Sequence, residues 1–132
     1  MRTRIHFAAL AALGVVALTG AQAGRDSSPA AAYQRLIDGK TAEKPVDCID
    51  TRFNRASLSA YRDKLIYRVS NKLVYVNQTT GGCQGVARGD ALVTRQFQTR
   101  LCRGDIAQTV SLPPGIPTGS CALGDFTPYR AR

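Results

Sequence analysis

Four cysteines constrain this chain more than any other feature. Cys48, Cys83, Cys102 and Cys121 fall 35, 19 and 19 residues apart. A zinc site needs close pairs such as Cys-x-x-Cys, or histidines to complete the shell. Neither is present, because the sole histidine is His6. An even number of widely spaced cysteines in a small domain therefore implies two disulfides. Four cysteines allow three pairings, and the spacing does not choose among them. The expected pairing is Cys83–Cys102 inside a sheet, with Cys48–Cys121 joining the sheet's ends. Each cross-link contributes roughly 3–4 kcal/mol by restricting the unfolded chain. A domain of this size has a limited core and gains much from such staples.

The first residues read as an export leader. Arg2 and Arg4 precede an uncharged, mostly apolar run from Phe7 to Leu18, and Ala21-Gln22-Ala23 has the small-x-small form of a cleavage site. A run of about a dozen residues is signal-peptide length and short for a bilayer span. We expect a signal peptide over 1–23, cleavage after Ala23, and a periplasmic or secreted protein. No later stretch is apolar enough to form a transmembrane helix.

Beyond the leader, residues 24–45 carry a helix and a linker. Ser28 suits an N-cap, Pro29 the first helical position, and Gly39 the residue past the end. Tyr33, Leu36 and Ile37 share one face. This predicts a short helix over about 29–38, with 41–45 as linker.

From Val46 the period becomes two. The clearest element is "KLIYRVSNKLVYVN", residues 64–77. A two-residue turn at Ser70-Asn71 would set Tyr67 opposite Val74 and Leu65 opposite Val76. Leu65, Tyr67, Val69, Val74 and Val76 would then form the core face. Lys64, Ile66, Arg68, Leu73, Tyr75 and Asn77 would form a mixed, half-exposed one. Further strands are expected at Val46–Phe53, Arg55–Ala60, Ala91–Phe97 and Ile106–Leu112. Residues 79–85, "TTGGCQG", and 113–120, "PPGIPTGS", read as loops. The expected fold is all-β: a small antiparallel meander or partial barrel of about five to six strands over 46–129, one N-terminal helix, and a tail at 130–132.

The chemistry is sparse. Once the leader is gone no histidine remains, so Ser-His-Asp and Cys-His sites cannot be assembled. Ser70 and Lys72 lie in a tight turn, where nothing desolvates the amine to activate it. Asp47, Asp50, Asp63, Asp90, Asp105 and Asp125 read as turn or edge carboxylates rather than an acid–base pair. No phosphate-cradling loop, metal set or redox-cofactor motif is found, so no catalytic residue, metal or cofactor is assigned. The expectation is a protein that is not an enzyme.

Charge is the remaining lead. The chain has 18 Lys and Arg against 9 acids; without Arg2 and Arg4 the 16 that remain give a net charge of +7. Such a balance favours anionic partners or serves solubility. Export and the scarcity of stacking aromatics argue against nucleic acid. The expected partner is an anionic lipid or glycan of the cell envelope, met by Lys64, Arg68, Tyr75, Arg88 and Arg103. A second reading is a protein inhibitor of an exported enzyme, with "PPGIPTG" as the wedge.

Arg-Gly-Asp occurs at 88–90 and 103–105, and a further Gly-Asp at 124–125. Each precedes apolar residues, so the three read as turns that open strands rather than as adhesion signals.

Taken together, "CIDTRF", "LIYRVSNKLVYVN", "GGCQG", "LCRGDI" and "CALGDFTPY" resemble a family of small exported proteobacterial proteins known as a domain of unknown function. The resemblance spans about residues 46–129 and all four cysteines, with Gln84 where the family has proline. It implies an exported, disulfide-containing β domain and carries no activity or catalytic residue.

Overall fold

A computed structural model describes residues 26–51, 56–95 and 98–132. The expected leader and its cleavage site lie outside these residues, as do parts of two expected strands, at 52–53 and 96–97, and the start of a third at 55. Among the described residues the fold is all-β with one short helix, in antiparallel sheets that do not close into a barrel.

Helix α1 runs Pro29–Ile37, and Ser28 Oγ accepts from Ala31 N–H at 3.2 Å. Gly39 leaves the helix at φ +68°, a conformation that favours glycine. The chain then forms β1 (Lys40–Ala42), β2 (Cys48–Asp50), β3 (Ser57–Tyr61), β4 (Lys64–Arg68), β5 (Leu73–Gln78) and β6 (Thr80–Gly81). A 3-10 turn at Gln84–Arg88 leads to β7 (Ala91–Thr94), β8 (Arg100–Cys102), β9 (Ile106–Ser111), β10 (Ile116–Ala122) and β11 (Phe126–Ala131). Three antiparallel sheets result, with orders β1-β11-β5-β4-β3, β6-β10-β9-β7 and β2-β8.

Four segments expected to be irregular contain strands, one of them the expected loop at 79–85, where Thr80 and Gly81 pair with β10. Residues 40–42, which overlap the start of the expected linker at 41–45, pair with β11. The expected tail at 130–132 contributes Arg130 and Ala131 to the inside of the large sheet, and Phe126 at the start of the same strand is wholly buried. The second half of "PPGIPTGS" pairs with β9, and only the hairpin tip before Ile116 is a turn. Pro117 in β10 and Pro128 in β11 weaken the strand signal, since a proline lacks the N–H that a ladder uses, and β1 is only three residues long. Pro117 is tolerated because β6 covers β10 only at Cys121 and Ala122, which leaves its outer edge unpaired there. The β9–β10 register also shifts between Pro117 and Gly119.

The β4–β5 hairpin is one residue out of the expected register. Tyr67 faces Tyr75, Ile66 faces Val76 and Leu65 faces Asn77. A one-residue slip moves a strand's side chains to the opposite face relative to its partner. Here neither face is left to solvent. Leu65 and Tyr67 join Ile49, Leu101, Ala107, Leu123 and Phe126 in the core shared by the three sheets. Ile66, Val74 and Val76 form a second cluster that Tyr33, Leu36 and Ile37 of α1 cover. The helix therefore buries a face that the two-residue turn would have left half-exposed.

The disulfides are Cys48–Cys102 and Cys83–Cys121, not the expected Cys83–Cys102 and Cys48–Cys121. Cys48 and Cys102 sit directly opposite on the β2–β8 ladder, with Cα atoms 4.0 Å apart. Cys121 lies opposite Gly81, two residues before Cys83. The expectation treated the sheet as one meander, in which sequence neighbours pair. The observed β2–β8 ribbon instead joins segments 54 residues apart.

Candidate functional site

The β4 register distributes the five expected anion-binding residues. Lys64 and Arg68 share the helix-facing side with Ile66, whereas Tyr75 packs into the core on the opposite side. The Lys64 ammonium lies 3.5 Å from Asp63. Arg88 is 3.8 Å from Asp90 in the turn before β7. Arg103 bridges Asp47 at 3.5 Å and Asp125 at 3.2 Å. Asp125 Oδ1 is shielded from water and accepts no hydrogen bond, so charge attraction rather than a directed bond holds it to Arg103. The five residues form no single patch, and three of their cations already face carboxylates.

Arg68 differs. It lines a groove between α1 and the β3–β4 edge of the large sheet, about 590 Å³ in volume. Arg35 and Lys40 line it too, with Ser57, Ser59 and Asn71 as further polar groups and no carboxylate. Arg68 donates to the Asn71 side-chain carbonyl. One Arg35 nitrogen donates to the Asp26 main-chain carbonyl at 2.8 Å, and its side chain is exposed. Asp26 lies outside the lining, and its carboxyl titrates below its ordinary value mainly because Ser28 N–H bonds it. Three cations thus line one groove that holds no carboxylate, although Arg35 also lies within reach of the Asp26 charge beside it.

Reasoning from sequence missed Arg35 and Lys40. Arg35 sits one residue before Leu36, at the margin of the helix's apolar stripe, which is where a long cationic side chain flanks whatever the stripe covers. Lys40 joins it because Gly39 turns the chain back along the sheet.

Several of the remaining candidate groups make hydrogen bonds within the fold. Ser70 Oγ accepts from the main-chain N–H groups of Lys72 and Leu73, both at 3.1 Å. Asp90 accepts from Thr118 Oγ1 at 2.6 Å. Asp105 accepts from Cys102 N–H at 2.7 Å. Asp63 titrates below its ordinary value, chiefly through a hydrogen bond from its own main-chain N–H. Gly89 and Gly104 adopt positive φ, and each of the three Gly-Asp pairs opens a strand: β7, β9 and β11. Among the described residues no group of three or more His, Cys, Asp or Glu is placed to hold a metal ion.

No family model, curated protein or solved structure matches the chain. Two disulfides suit an exported or extracellular protein. Among the described residues no helix is long and apolar enough to cross a membrane.

Proposed function

We propose that this is an exported, non-catalytic binding protein of the periplasm or cell exterior that holds an anionic component of the cell envelope. The observation that carries the reading is the groove in which Arg35, Lys40 and Arg68 converge with no carboxylate in its lining. Guanidinium groups match the oxygens of phosphate and carboxylate in two-point contacts, and the serine hydroxyls and Asn71 amide add donors beside them. The net +7 of the chain without its leader draws anions towards it at low ionic strength. Resemblance to a family of small exported proteins of unknown function supports the compartment.

Titration of vesicles with and without phosphatidylglycerol tests this. Binding is expected only to the anionic vesicles and should fall steeply between 50 and 300 mM salt, on the order of tenfold or more for a three-cation contact. The double variant Arg35→Gln, Arg68→Gln should weaken it about tenfold or more, since each basic residue contributes about 1 kcal/mol near such a surface. Equal binding by the double variant, or none by the native protein at low salt, would overturn the proposal.

The inhibitor reading retains one observation in its favour. Leu112 and Ile116 are 67 % and 58 % exposed on either side of the Pro113-Pro114-Gly115 tip. An apolar hairpin tip suits insertion into a cleft. Capture of an exported enzyme by the native protein, lost in Leu112→Asp, would favour it.

A further inference from the structure

The basic groove does not end at its charges. Ala32, Leu36 and Ser59 line both it and a second cavity of about 320 Å³ further along the seam between α1 and edge strand β3. The walls of that second chamber are largely apolar, built by Tyr33, Tyr61, Ile66, Val86 and Ala87. Tyr33 and Tyr61 stack at its side, with ring centroids 5.2 Å apart. A charged mouth and an apolar chamber thus share one wall along the same seam.

The helix over this seam is seated rather than embedded. It packs on Ile66, Val74 and Val76 through Tyr33, Leu36 and Ile37, yet no residue of α1 is itself buried. Side chains at such a boundary adjust at low cost, because few of their contacts are enclosed on all sides.

We propose that the seam binds a single-chain anionic lipid, with its phosphate among Arg35, Lys40 and Arg68 and its alkyl chain in the chamber beneath α1. This inference rests on the anion-binding reading of the groove and adds the class of ligand. Phosphate is preferred to carboxylate because the mouth offers more donors than two carboxylate oxygens accept, and arginine forks suit phosphate geometry. A cavity of about 150 Å³ takes up benzene, so a chamber about twice that size has room for a chain of roughly ten carbons.

The test is a calorimetric series of inorganic phosphate and butyl, hexyl, octyl, decyl and dodecyl phosphate, each below its micelle-forming concentration. Affinity should rise about two- to fourfold per methylene up to roughly ten carbons and then level off, as expected once the chain has filled the chamber. Decyl maltoside should bind at least tenfold more weakly than decyl phosphate. Arg68→Gln should weaken every phosphate in the series. Ala87→Trp, an exposed residue of the chamber alone, should flatten the chain-length dependence and leave inorganic phosphate unchanged. In the native protein, decyl phosphate should shift the methyl resonances of Ile66 and Val86, a readout that does not depend on any variant folding. Phosphate binding without chain-length dependence, or maltoside binding equal to phosphate, would overturn the lipid and leave the anion site standing. No binding of inorganic phosphate, of any alkyl phosphate or of anionic vesicles would overturn both.

Discussion

The side chain of Asn77 and the main chain of Gly124 bond each other in both directions. Asn77 Nδ2 donates to the Gly124 carbonyl at 2.7 Å, and Gly124 N–H donates to Asn77 Oδ1 at 3.0 Å. Asn77 is completely buried, although its strand neighbours are chiefly apolar. The pair ties β5 to the turn that launches β11. Gly124 also passes so close to Gln78 that a Cβ would lie 2.1 Å from the Gln78 carbonyl oxygen.

Asn77→Ala leaves both Gly124 groups unpaired in the interior. The expected loss is about 2–4 kcal/mol, the sum of two buried groups left without partners. Urea denaturation measures it, and a loss under 1 kcal/mol would show that water replaces the amide.

Peptide mapping without reduction should recover Cys48 linked to Cys102 and Cys83 linked to Cys121. Recovery of a Cys83–Cys102 peptide would contradict the fold itself, because Cys102 sits opposite Cys48 on the β2–β8 ladder whereas Cys83 lies at the start of the 3-10 turn. Replacing Cys83 and Cys121 together by alanine should cost about 4 kcal/mol for a loop of 38 residues.

Tyr67 carries its hydroxyl into the core, where the oxygen is buried and has no hydrogen-bond partner. Burial raises its phenol well above the ordinary value of 10.0. The unfolded chain ionises this group near that ordinary value while the folded protein keeps it neutral, so folding stability falls as pH rises beyond it. Tyr67→Phe should therefore stabilise the protein by about 1 kcal/mol at neutral pH, through loss of an unpaired polar group. It should also make the decline between pH 9 and 11 shallower. Tyr33, raised chiefly by burial but more exposed, keeps part of the slope in that variant. Guanidinium melts of both proteins across this range decide the matter; parallel curves would refute the assignment.

Asp105 and Arg103 belong to one Arg-Gly-Asp turn yet should respond differently to replacement. Asp105 accepts a charge-assisted bond from Cys102 N–H, so Asp105→Ala should cost about 1–2 kcal/mol. Arg103 is 58 % exposed, and its ion pairs with Asp47 and Asp125 are open to screening. Arg103→Ala should cost about 0–1 kcal/mol, less still in high salt. Thermal melts at low and high salt compare the two.

Much of the local structure was legible in the residues themselves. Ser28, Pro29 and Gly39 bounded the helix, the period-two run marked β4 and β5, and the Gly-Asp pairs opened strands, because caps, turns and alternation act over a few residues. Cysteine number and spacing implied two disulfides for the same kind of reason: they exclude zinc without reference to partners. The basic groove was only partly legible. Arg68 stood out on its strand, but Arg35 and Lys40 reach it through the docking of a helix onto a sheet face.

What the sequence determined by itself was thus the class of fold, the presence of two cross-links, and the shortage of acid–base groups. Tertiary structure alone decided which cysteines meet, which register β4 and β5 adopt, and that Arg130 and Ala131 extend an interior strand. Each of these depends on pairing between distant segments, and a slip of one residue costs little locally but exchanges the buried and exposed faces of a strand. The helix settles that choice here by covering Ile66, Val74 and Val76, and in doing so it brings Arg35 beside Arg68.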